Sequence, residues 1–177
     1  MTRTAKHPAY IIRELMPDDL DTIAANLRPA DAKELEAASG HTNFRDRLTM
    51  SVALSSEVRV AECDGVPILV FGIADDPERT GNDLCDTIAA VWAVGTPAVS
   101  RFRRALIADS RAVIRRWFVE HPKVARMVNF SHASNALHHR WLRAMGATVL
   151  PEEPLGFRGA MFRPFIIERN APCATPV

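Results

Sequence analysis

Apolar and polar positions change period several times along the chain, and each change predicts an element. Tyr10 to Leu15 alternates like a short strand. Residues 16–27 (MPDDLDTIAANL) follow as a helix, with Pro17 near its first turn and Asp18 and Asp19 at the positive end of its dipole. Those two carboxylates read as a helix start rather than a catalytic pair. Residues 29–40 form a second helical stretch stopped by Gly40, and residues 44–56 a third, short and partly buried through Leu48, Val52 and Leu54. The period then drops to two. Residues 58–74 (VRVAECDGVPILVFGIA) predict a hairpin with Asp64-Gly65 at its turn and Pro67 weakening the pairing beside it. Residues 75–83 (DDPERTGND) read as a surface loop and Leu84 to Val94 as a third strand.

The longest helix is expected within 95–122, started by Thr96 or Ser100 and ended by Pro122. Phe102, Leu106, Val113, Ile114, Trp117 and Phe118 supply its buried face. A strand at 124–130, a polar turn at 131–134 and a helix at 135–145 come next. Ser134 or Asn135 can cap that helix, Gly146 stops it, and Leu137, Trp141, Leu142 and Met145 are its apolar set. Strands near 147–150 and 157–167 close the domain. The order of elements predicts an α/β protein: one domain over residues 1–169, with a central mixed sheet and helices on both faces. Residues 1–8 look like a loose leader and 170–177 like a flexible or docking tail.

Composition narrows the classes. A chain of 177 residues with 47% hydrophobic and 24% charged residues is that of a soluble globular domain. With a net charge of +1, bulk electrostatics does not draw it to nucleic acid, which is not expected as a partner. Cys63, Cys85 and Cys173 are odd in number without C-x-x-C spacing, so neither a disulfide framework nor a zinc knuckle is expected. No apolar run is long enough for a membrane span, and the N-terminus lacks a signal-peptide core. His132, His138 and His139 do not make a metal site, because adjacent helix positions diverge by about 100° and no thiol or carboxylate accompanies them. Asn129 and Asn135 read as residues that fix the strand-to-helix turn.

Three stretches carry a resemblance: VWAVG at 91–95, RFRRALIADSR at 101–111 and NALHHRWLRAMGA at 135–147. The strand, Asn, short helix, Gly and restarting strand of 124–150 resemble the last conserved segment of GNAT-type N-acetyltransferases. The chain is also similar to a phage branch of that fold, the internal virion protein A family of short-tailed phages. The likeness covers the C-terminal half well and the N-terminal half in layout.

That resemblance implies chemistry which the residues supply only in part. Acetyl-CoA would be held in the V-shaped gap between the strands at 84–94 and 124–130, with Val94, Gly95, Arg101, Arg103, Arg104 and Asn135 as the contacts. The turn after the first of those strands has one glycine, Gly95, and then Pro97, which has no N–H for a pyrophosphate. The general acid is commonly a tyrosine, and the position aligned with it is Leu142. The one tyrosine is Tyr10, and Cys85 or His138 would have to substitute. The strand that would carry the base is apolar, with Asp86 at its start as the nearest carboxylate.

The expectation is therefore a phage virion or virion-assembly protein on a catalytically degenerate GNAT fold. It would be made in the host bacterial cytoplasm, located in the virion and present as a homo-oligomer docked on other virion proteins. No catalytic residue, metal or cofactor is assigned. The long helix has Asp109 as its one acidic residue between Arg101 and Arg116, so Arg104, Arg111, Arg115 and Arg116 are the candidate interface. The alternatives are an acetyl-CoA-dependent N-acetyltransferase acting on a small amine or host protein, and a host-takeover binding protein.

Overall fold

A computed structural model describes residues 10–80 and 87–169. Its elements are β1 (Ile11–Glu14), α1 (Asp19–Ala25), α2 (Pro29–Ser39), α3 (Phe44–Ala53), β2 (Glu57–Cys63), β3 (Val66–Thr80), β4 (Thr87–Gly95), a 3-10 turn (Pro97–Phe102), α4 (Arg103–Glu120), β5 (Val124–His132), α5 (Ala136–Ala144), β6 (Thr148–Val149) and β7 (Phe162–Glu168). The strands form one sheet in the order β1-β2-β3-β4-β5-β7-β6. Every neighbouring pair is antiparallel except β4 and β5.

Strand alternation sends successive side chains to opposite faces. On one face Phe71, Ile73, Val91, Met127 and Phe165 pack against Ile114, Trp117 and Phe118 of α4 and Leu142 and Met145 of α5. On the other, Val60, Val70 and Val94 meet Leu20, Ile23 and Leu48 of α1 and α3. The mixed sheet with helices on both faces is as expected from the sequence.

Several local expectations change. Residues 75–80 are not loop but the end of β3, because Asp75 still pairs with Ala89 and Thr80 with Thr87 across a register shift. The rest of the expected loop and residues 84–86, with Cys85 and Asp86, lie outside the described residues, as do the leader and the tail. The long helix begins as a 3-10 turn, which Pro97 opens without donating an N–H, and becomes α-helical at Arg103. Residues 157–159 are a 3-10 turn rather than the start of β7. Leu54 is 73% exposed and Leu137 49% exposed, so neither belongs to the core face assigned to it. Leu137 sits five positions before the buried Leu142, which places it on the far side of α5.

The turn chemistry holds. Asp64 and Gly65 both have positive φ, 51° and 79°, as a two-residue hairpin of this kind requires. Beside it the register shifts between Ala61 and Glu62, and Glu62 then faces Pro67. Among the described residues no helix is long and apolar enough to cross a membrane.

Candidate functional site

The one parallel junction of the sheet does not stay closed. β4 and β5 pair from Thr87↔Val124 to Ala90↔Val128 and no further, so Val91–Gly95 and Asn129–His132 diverge. Asn129 sits at the point of divergence. Its Nδ2 donates to the Val91 carbonyl at 2.8 Å, and its Oδ1 accepts the Phe130 N–H at 2.8 Å. An amide side chain thus takes the place of the next ladder bond.

A cavity of about 230 Å³ occupies the gap and is walled from both faces of the sheet. Trp117, Trp141 and Leu142 line one side, Leu35, Trp92 and Phe130 the other, and Glu34, Asp109, Asn129 and His138 give it polar points. Such a chamber, largely apolar with a few converging polar groups, has the make-up of a small-molecule site. Leu142 is buried in this wall, at the position where the resemblance expects a tyrosine.

Glu34 is the centre of the polar points. Helical spacing turns it, with Asp31 three residues earlier, toward the sheet. Its Oε2 accepts from the Ser131 hydroxyl at 2.9 Å, the His132 N–H at 2.9 Å and the Asn135 amide at 3.2 Å. His138 Nδ1 lies 3.0 Å from Ser131 Oγ and 4.0 Å from Glu34 Oε2. Burial alone would raise the Glu34 pKa, but His138, the His132 N–H and the Asn135 amide outweigh it and hold the carboxyl below its ordinary range. One carboxylate on α2 therefore pins the β5–α5 turn to the rim of the cavity.

Asp31 does the same for the end of β4. Its Oδ2 accepts the Gly95 N–H at 2.8 Å and the Arg28 Nε–H at 2.9 Å, and the Arg28 N–H in turn donates to the Gly95 carbonyl at 2.9 Å. The Thr96 N–H goes to the Ile68 carbonyl at 2.8 Å, and Pro97 has none. Three successive positions of the expected cradle thus present no unengaged N–H to an anion, and a carboxylate stands among them. Gly95 itself answers to packing: a Cβ there would meet Val99 Cγ1 at 3.0 Å and the Ile68 oxygen at 3.1 Å. These three positions offer a pyrophosphate no N–H donor.

The other expected site residues separate. Val94 lines the cavity. Asn135 is buried and fully employed, its Oδ1 capping α5 by accepting the His138 N–H at 3.3 Å and its amide held by Glu34. Arg101, in the 3-10 turn, and Arg103 and Arg104, at the start of α4, are exposed and outside the lining. Of the candidate interface residues, Arg104, Arg115 and Arg116 are exposed. Arg111 donates through Nε and Nη2 to the Ala144 carbonyl at 2.9 and 2.6 Å. Arg116 pairs with Glu57 and, at 3.2 Å, with Glu120.

His139 follows His138 in α5, about 100° further around the helix. It is buried, its Nε2 has no hydrogen-bond partner among the described residues, and burial above all pushes its pKa down. Tyr10, expected far from the site, donates its hydroxyl to Asp109, a cavity residue, and stacks edge-on against Phe102. Burial first and the Asp109 carboxylate second push that phenol up. Sequence reading missed Asp31 and Glu34. The available signal was their spacing of three in a helix whose face also carries Leu35 and Ala38.

No protein-family model matches the chain, and no curated protein sequence does. Solved structures do match. AAC(6')-Ib in complex with ribostamycin and coenzyme A superposes with a TM-score of 0.66 at 13% identity, covering 92% of this chain and 95% of that one. An acetyltransferase of the GNAT family from Streptococcus pneumoniae gives 0.61 at 12%, covering 90% and 99%. YncA, a putative acetyltransferase from Salmonella typhimurium with acetyl-CoA, gives 0.57 at 19%, covering 96% and 98%. The fold is that of the GNAT acetyltransferases.

Proposed function

We propose that the chain is a phage virion or virion-assembly protein that uses a GNAT fold to dock on other proteins rather than to transfer acetyl groups. The observation that carries this reading is the Asp31 carboxylate on the Gly95 N–H. An acetyl-CoA enzyme of this fold needs that end of β4 open to phosphate oxygens, and here an anion of the chain's own already holds it. The buried Leu142, with no proton to give, supports the same view. The phage assignment rests on the sequence resemblance of residues 91–95, 101–111 and 135–147.

An antibody raised against the purified chain tests the role directly. It should detect the protein in gradient-purified particles or in assembly intermediates of the phage that encodes it. Its confinement to the soluble fraction of infected cells, outside any particle or intermediate, would refute the role.

The splayed strands favour a second reading, an acetyl-CoA-dependent N-acetyltransferase with the thioester arm in the 230 Å³ cavity. His138 is then the proton carrier nearest Leu142, one helical turn before it. That reading requires the phosphates to be held elsewhere than at Gly95, for which Arg101, Arg103 and Arg104 are the available cations.

A further inference from the structure

Opposite its buried line of Leu106, Ile114, Trp117 and Phe118, α4 presents Ala105, Ala108, Ala112 and Val119 to solvent. Their spacings of three, four and seven place them on one ridge along a helix of 18 residues, about 27 Å long. An outward helix face is normally polar. Here the ridge is apolar and small, and Val119 is 78% exposed.

The two flanks of the ridge differ in charge. On one, the charges are settled within the molecule: Arg116 pairs with Glu57 and Glu120, and Asp109 accepts from Tyr10. On the other, Arg104 and Arg115 are exposed and have no carboxylate partner among the described residues, and Arg101, also exposed, stands in the 3-10 turn just before α4. Arg111 lies between them, its guanidinium on the Ala144 carbonyl.

We infer that this face of α4 receives an amphipathic helix from a partner protein, with small or apolar residues against the alanine ridge and carboxylates along the Arg104–Arg115 flank. The inference rests on the docking role and names its surface. Alanines let two helix axes approach closely, and arginine matches carboxylates in bidentate geometry. A DNA backbone would meet the cations but leave the methyl ridge without a counterpart, and the net charge of +1 gives little long-range attraction for it.

The test uses the full chain and a labelled helical peptide of about 20 residues, built of Ala, Leu and Glu with all Glu on one flank. Fluorescence anisotropy compares it with the same peptide carrying Gln for Glu and with a DNA duplex. The expected result is binding of the Glu peptide alone, weakened at least about tenfold by Arg104→Glu with Arg115→Glu. Ala112→Glu should weaken it similarly, and Arg45→Glu on α3 should leave it unchanged. Circular dichroism confirms that each variant is folded. No binding of the Glu peptide, equal binding of the Gln peptide, or DNA binding with the same arginine dependence would each overturn the inference. Failure here with no coenzyme A binding discards this face and leaves the docking role; coenzyme A binding strikes the role itself.

Discussion

The Asp31 carboxylate accepts the Gly95 N–H at 2.8 Å, tying the middle of the N-terminal helices to the end of β4. The bond is buried, and the same carboxylate carries Arg28. It engages the first N–H of the turn between β4 and α4, so that this N–H is not free to donate to an anion. Asp31→Ala leaves the Gly95 N–H and the Arg28 guanidinium without their acceptor and should cost about 3 kcal/mol. Asp31→Asn keeps an acceptor and should cost about 1 kcal/mol. Urea unfolding of the two variants checks the ranking.

Gly95→Ala is the complementary change. Its Cβ would press on Val99 Cγ1 at 3.0 Å, the Ile68 oxygen at 3.1 Å and Leu69 Cδ1 at 3.1 Å. The expected loss is about 1–3 kcal/mol from overpacking. Unfolding of the purified variant measures it, and an unchanged midpoint would mean that the turn is not packed as described.

Glu34 should be felt in stability and in its pH dependence. Removing it as Glu34→Ala strands the Ser131 hydroxyl, the His132 N–H and the Asn135 amide, at about 3 kcal/mol. Its folded pKa lies below the ordinary 4.5, so its stabilisation is complete above that value and is lost as pH falls through the folded pKa. Unfolding curves of wild type and Glu34→Gln should converge in that acid range.

His139 produces an earlier acid limb. Burial holds its folded pKa below the ordinary 6.5, so the fold carries the neutral ring. The unfolded chain takes up the proton first, and stability should begin to fall as pH drops below about 6.5. His139→Phe should flatten that limb, which urea midpoints between about pH 7 and 5 would register.

Tyr10 acts at the opposite end of the scale. Its phenol is raised above the ordinary 10, so its contribution is full below that pH and lost as pH rises through the folded pKa. Tyr10→Phe should cost about 1 kcal/mol near neutrality and remove the alkaline limb of the stability profile.

How far the sequence could be read depends on which forces are local. Asp64-Gly65, Gly40 and the Asn135 cap specify backbone conformations within a few residues, so the hairpin, the end of α2 and the start of α5 were legible. Strand alternation and helical periodicity likewise marked most of the elements that build the sheet and its covering helices. The extension of β3 through Asp75 was not legible, because a run of Asp, Pro and Glu reads as loop, and only pairing with β4 makes it strand. The site was least legible. Asp31 and Gly95 are far apart in sequence, as are Glu34 and Ser131, and nothing local in α2 says which carboxylate will meet which N–H. The arginines of α4 were visible as a group, but the division between Arg116, which is paired, and Arg104 and Arg115, which have no carboxylate partner among the described residues, depends on Glu57 arriving from β2.

The most direct test of the central claim is calorimetric titration of the purified chain with coenzyme A and with acetyl-CoA. With Asp31 holding the Gly95 N–H, neither should give binding heat at concentrations up to about 1 mM, which corresponds to about −4 kcal/mol. Micromolar binding of either, weakened by Arg103→Ala, would contradict the account and return the chain to the acetyltransferases.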